Sequence, residues 1–217
     1  MAKYHVSLYY LEMTSPLASL KQGVLRPQDA VGIYVQPHAE FRRWEEAGVL
    51  LKVAHGYYAH IPEASRGGSW RPEIEALALG IGQADYGKND VALMHLSAAR
   101  IHGAIPRALA VAVIAVPKRR PVLETSCGRI IFVKRDVNSI KRMRIETEIA
   151  TGWCTTIEQT ALDLANRPNL IEGLVTIVED AARSLFFRSS SEKLNALMEK
   201  QRMGTAFTRL KKWVKDA

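Results

Sequence analysis

Apolar residues recur along this chain with two different periods, and the places where the period changes mark its organisation. Between Pro37 and Ala47, Phe41, Trp44 and Ala47 fall on one side of a helix, a spacing that predicts a core-facing stripe. Gly48 is the residue type that closes a helix in a left-handed cap. Val49 to Val53 and Tyr57 to Ile61 then read as two strands rich in branched and aromatic residues, with His55-Gly56 as the tight turn between them. His38, Arg42 and Arg43 lie off the Phe41/Trp44 stripe and are expected to face outward.

Upstream, Ser15-Pro16 supplies an N-cap and first helical position, and Leu17 and Leu20 begin an apolar face that stops at Gly23. Arg26-Pro27-Gln28-Asp29 opens a second helix with an acidic first turn, with Ala30, Val31 and Ile33 expected inward before the break at Gln36-Pro37. Lys3 to Met13 is too irregular to assign. Helix, helix, helix, hairpin is the order of a winged helix-turn-helix, whose last helix enters the major groove of DNA while the hairpin flanks it.

Ser65 to Ser69, SRGGS, reads as a linker, because Ser and Gly offer little burial to offset the entropy of ordering. The expected domains are therefore residues 1–65 and 70–217. In the second, Ile74, Leu77, Ala78 and Ile81 form one helical face, and a further helix is expected from about Asp90 to Ile101, ending at Gly103. Leu109 to Val116 is a continuous apolar run bounded by Pro106 and Pro117, the signature of a strand buried on both faces. Arg129 to Val133 and roughly Arg144 to Ala150 are further expected strands, with Ser126-Cys127-Gly128 as a turn. Helical spacing resumes over Glu158 to Ala165, Leu170 to Phe187, Ser191 to Gln201 and Thr205 to Lys215. The expected fold class is α+β: an N-terminal winged helix-turn-helix, then a mixed α/β C-terminal domain with a helical tail.

Charge sharpens this picture. The 217 residues carry a formal charge of +8, which suits a polyanionic partner. The balance is close to neutral up to Arg66. The excess sits in Lys118 to Arg144 and Arg183 to Lys215, while Ile145 to Ala182 is acidic apart from Arg167. These basic stretches are either solvated faces or holds for nucleic acid or an acidic protein. Cys127 and Cys154 form no C-x-x-C pair, so neither a disulfide framework nor a zinc site is expected. No run approaches about 18 consecutive apolar residues, and MAKYHVSLYYLEM lacks signal-peptide architecture, so a soluble, cytoplasmic protein without a membrane partner is expected.

Two motifs invite catalytic readings. Gly82 to Lys88 fits the G-x-x-x-x-G-K half of a phosphate-binding loop, but Asn89 stands where a Ser or Thr hydroxyl is needed for magnesium, and helical spacing precedes it where a strand is required. A helix-ending turn is the better account. His95 and His102 are two turns apart on one expected helix, yet without a Cys or a placed carboxylate they suit packing or capping better than metal. No H-E-x-x-H, G-x-S-x-G or D-x-D occurs, so no catalytic residue, metal or cofactor is assigned and an enzyme is not expected.

Taken together and in order, EEAGVL followed by HGYYAHIP up to Pro62, LMHLSAARIHGAIP from Leu93 to Pro106, VAVIAVP ending at Pro117, and TTIEQTALDLANRP from Thr155 to Pro168 resemble the AbiEi-type antitoxins of bacterial type IV toxin-antitoxin systems. The resemblance covers about Ser15 to Pro168. It implies a winged-helix domain that binds inverted repeats upstream of its own operon, and a C-terminal domain that supports antitoxicity and repression. It also implies a partner toxin with a nucleotidyltransferase fold, whose acidic metal-binding motif is absent here. Ser97, Ala98, Ala99 and His102 then read as small-residue packing with a turn-capping imidazole, and Thr160 with Asp163 as structure inside a helix.

The expected protein is thus an antitoxin and transcriptional autorepressor acting on double-stranded operator DNA, with dimerisation on the DNA. The DNA-binding residues expected are His38, Arg42 and Arg43 on the reading helix, Lys52 and His55 on the wing, and Lys118, Arg119 and Arg120 as added phosphate contacts. The alternative is a protein-binding module that silences the toxin by direct contact.

Overall fold

In the computed structural model, which describes residues 23–216, the chain forms two compact units that divide between Arg71 and Pro72. The helix expected from Ser15 to Gly23 lies outside the described residues.

The first unit is built on strand β1 (Val24–Leu25), helix α1 (Pro37–Glu46) and the hairpin β2 (Leu50–Ala54) and β3 (Tyr57–His60). The strands form an antiparallel sheet in the order β1-β3-β2. Phe41 and Trp44 of α1 are buried against Leu25, Ala30, Val49, Leu50 and Tyr58, and the Phe41 and Tyr58 rings meet edge to face at 5.2 Å. α1 ends in a Schellman motif: Val49 N–H donates to the Trp44 carbonyl at 2.9 Å and Gly48 N–H to that of Glu45 at 3.0 Å, with Gly48 at φ 69°.

The second helix expected in this unit is one 3₁₀ turn, Pro27–Ala30. Ala30 is buried as expected, but Val31 and Ile33 are 72% and 41% exposed. Arg26 grips Asp29 with two hydrogen bonds, at 2.7 and 2.6 Å, and Gly32 turns to φ 91°, so the chain leaves the helical path after one turn.

The second unit holds a six-stranded mixed sheet in the order β6-β7-β5-β4-β9-β8. Its strands are β4 (Ala92–Leu93), β5 (Val111–Val116), β6 (Leu123–Thr125), β7 (Gly128–Lys134), β8 (Arg142–Glu146) and β9 (Thr151–Thr155). The helices are α2 (Ile74–Tyr86), α3 (His95–Ile101), α4 (Ile157–Asn166), α5 (Val175–Arg188), α6 (Ser191–Lys200) and α7 (Gly204–Lys215). Every residue of β5 is buried because both sides of the sheet are covered. Val111, Val113 and Ala115 join the core shared with α3 to α7, while Ile114 meets α2, where a Cβ on Gly82 would come within 2.6 Å of Ile114 Cδ1. Gly82 is therefore a packing residue inside a helix, and the chain turns only at Gly87, φ 98°.

Two expected elements differ. The helix expected from Asp90 begins only at His95, because Ala92 and Leu93 are drawn into the sheet between β5 and β9. The strand expected over Arg144 to Ala150 is a hairpin, β8 and β9, turned at Thr147, whose hydroxyl accepts from Ala150 N–H and donates to the Ala150 carbonyl.

Candidate nucleic-acid interface

The stripe that buries Phe41 and Trp44 leaves the other side of α1 in solvent. His38 is exposed, and the Arg42 and Arg43 side chains are 74% and 75% exposed. Both arginines meet acids one turn away on the same helix: Arg43 donates to Glu40 at 2.9 Å, and Arg42 stands 3.9 Å from Glu46. Such surface pairs contribute little and are screened by salt, so either guanidinium is available to a phosphate. Lys52 and His55 are exposed on the hairpin, where Gly56 takes φ 77° to close the turn. This unit brings those five residues onto one helix and the hairpin beside it.

Lys118, Arg119 and Arg120 belong to the other unit and follow β5. Lys118 and Arg119 are exposed. Arg120 is half-buried: it pairs with Asp85 of α2, and its guanidinium lies 4.4 Å from the centre of the Phe132 ring. Its charge is committed to holding the loop. Sequence spacing missed two residues that line a groove together with Arg119 and Arg120, Lys134 at the end of β7 and Arg167 just past α4. Lys134 lies in the basic stretch Lys118 to Arg144, but only the parallel pairing of β5 with β7 sets it beside the Arg119 loop, and Arg167 had no local signal.

The histidines do not share a site. His95 Nε2–H donates to the Arg167 carbonyl at 3.0 Å, and His102 Nε2–H to the Thr155 carbonyl at 2.7 Å. Burial pushes the His95 imidazole down to about 4, so it is neutral, and its Nδ1 is enclosed without a partner. Thr160 shares a 2.7 Å hydroxyl contact with Thr155 and donates to the Thr156 carbonyl at 2.8 Å.

Around Asp163 the second unit encloses a polar network. Arg135 donates to Asp163 Oδ1 at 2.5 Å and to Gln201 Oε1 at 2.8 Å. Gln159 Nε2 donates to Asp163 Oδ1 at 3.1 Å, and Gln201 Nε2 donates to Gln159 Oε1 at 2.6 Å. Burial raises the Asp163 carboxyl above its ordinary value, and the Arg135 guanidinium pulls it back. The network ties α4 to the segment after β7 and to the end of α6, which is a structural task. Among the described residues no group of His, Cys, Asp and Glu is placed to hold a metal ion, and no helix is long and apolar enough to cross a membrane.

Comparison with known proteins adds one finding. Residues 91–214 match the family model of the AbiEi antitoxin C-terminal domain. No curated protein matches the chain.

Proposed function

The chain belongs to the AbiEi antitoxin family, and from that premise we propose that it is an antitoxin that represses its own operon by binding operator DNA through the first unit. The observation that carries this reading is α1 with its hairpin: one side is sealed by Phe41 and Trp44, and the opposite side presents His38, Arg42 and Arg43 to solvent. In a winged helix-turn-helix that is the side laid in the major groove, with Lys52 and His55 of the wing against the backbone. Lys118 and Arg119 add phosphate contacts from the second unit, and Arg120 serves chiefly to hold their loop. Two copies on inverted repeats would double the contacts. The antagonist is a toxin with a nucleotidyltransferase-like fold.

A second reading has its own observation. α1 sets two arginines against three glutamates, so the helix is not electropositive overall. That favours a protein-binding module in which neutralisation works by direct contact with the toxin.

Fluorescence anisotropy on the chain's own upstream DNA and on a scrambled duplex, across a salt titration, separates them. Operator binding should exceed scrambled binding at moderate salt, and Arg42→Ala with Arg43→Ala should weaken it and reduce the salt slope by about two. Equal, steeply salt-sensitive binding to both duplexes, together with copurification of the toxin, would replace the first reading by the second.

A further inference from the structure

In the second unit, β5 and β7 run parallel, and their carboxyl ends open into a groove of about 590 Å3 lined by Arg119, Arg120, Phe132, Lys134, Arg167 and Leu170 among others. In sheets with parallel strands, the crevice beyond the carboxyl ends is where ligands bind. The volume lies in the range of small-molecule sites.

Its charge is one-sided. The cations arrive from three places in the sequence: the loop after β5, the last residue of β7, and the residue that closes α4. No carboxylate is among the lining residues. Arg119, Lys134 and Arg167 are exposed, so each retains its reach into the groove. Arg167 feels the charge of Asp163, but that carboxylate is buried beneath and its Oδ1 is already held by Arg135. Arg120, fixed by Asp85 and seated on Phe132, stiffens the loop that carries Arg119. A concavity lined by one sign of charge repels its own walls and concentrates a counter-ion of matching shape. Arginines suit that counter-ion best when it presents several planar or tetrahedral oxygens.

We propose that this groove binds a compact polyphosphate, the charged part of a nucleotide. The same chemistry is carried by a nucleic-acid backbone, but a duplex presents single phosphates along a broad convex surface, whereas three cations lining one concavity suit adjacent phosphates on one small ligand. The site needs neither α1 nor the hairpin, so it goes beyond the operator reading. It is also distinct from Gly82 to Lys88, where Gly82 packs inside α2.

Isothermal titration calorimetry of the full chain at fixed moderate salt tests it, with inorganic triphosphate, ATP and scrambled duplex as separate probes. Triphosphate should bind one per chain. Lys134→Ala and Arg167→Ala should each weaken it about tenfold, with Arg119→Ala as a further exposed variant and thermal unfolding unchanged in all three. Arg42→Ala with Arg43→Ala should leave it unaltered, which separates a failure here from a failure of the operator reading. Tighter binding of ATP than of triphosphate identifies a nucleotide as the ligand, and equal binding identifies the phosphates alone. Triphosphate binding that ignores the groove variants would overturn the assignment. So would an absence of triphosphate binding while duplex affinity falls in those variants, since the groove would then be one stretch of a backbone track.

Discussion

In the first unit the buried side chains run from Leu25 through Phe41 and Trp44 to Tyr58 and are apolar or aromatic, while the charges of α1 stand in solvent. In the second, Glu75, His95, Ser97, Thr155, Gln159, Thr160 and Asp163 are enclosed, and every buried polar or charged side chain among the described residues belongs to this unit. The same residue types therefore mean different things in the two places. An arginine on α1 is held by surface pairs worth little and is open to exchange partners. Arg135, by contrast, is part of the interior, because removing it would leave a buried carboxylate without its cation.

The largest effect that separates the units comes from that pair. Breaking a buried ion pair from one side costs about 3–5 kcal/mol, and because Arg135 keeps 21% exposure we place Arg135→Ala near the lower end. Urea unfolding should show the loss, and Asp163→Asn in the Arg135→Ala background should recover much of it by removing the stranded charge. If the double variant is no better than the single, shape rather than charge is what Arg135 supplies. In the first unit Phe41→Ala should cost a comparable ~3–5 kcal/mol through lost burial and a cavity. That loss should not change with pH, since no titratable group is involved.

An effect of similar size, set apart by its pH dependence, is carried by His95 in the second unit. Its folded-state value lies near 4 against an ordinary 6.5, so the unfolded chain takes up the proton first as pH falls. The stability associated with neutral His95 is complete above pH 6.5 and drains away between 6.5 and 4, by about 3 kcal/mol in all. His95→Asn keeps a residue type that tolerates the φ of 55° found there and should flatten that part of the curve. A slope unchanged in the variant would assign the acid sensitivity to other groups.

The contrast between the units also accounts for what could be read in the sequence. The Phe41/Trp44 stripe, the Gly48 cap and the His55-Gly56 turn are local signals, and α1 with its hairpin follows them. So do the helices from Ile157 onward, except that the one expected from Leu170 begins at Val175, and the buried run Val111–Val116. What failed was decided by something other than the apolar period. Ala92 and Leu93 become a strand because β5 and β9 lie on either side, and Val31 and Ile33 stay outside because Gly32 and the Arg26–Asp29 grip stop a helix after one turn. Of the groove residues, Arg167 had no local signal and Lys134 only its place in the basic stretch Lys118 to Arg144. Gly82 carried a misleading one, since a glycine required for contact with Ile114 is indistinguishable in sequence from one required for a phosphate.

The smallest expected stability change is the one that most sharpens the comparison. Arg42 and Arg43 make only exposed pairs, at 3.9 Å to Glu46 and 2.9 Å to Glu40. Pairs of this kind contribute about 0–1 kcal/mol. Replacing both arginines with alanine also introduces a better helix former, which offsets part of that loss. The double variant should therefore unfold within about 1 kcal/mol of the parent in urea, while the Arg135→Ala variant loses several times more. A large loss in the Arg42/Arg43 variant would mean that the two guanidinium groups are structural, like Arg135, and any fall in DNA binding could then not be assigned to lost contacts. An unchanged midpoint leaves them free of any folding duty, so that whatever they do for the protein is done to something outside it.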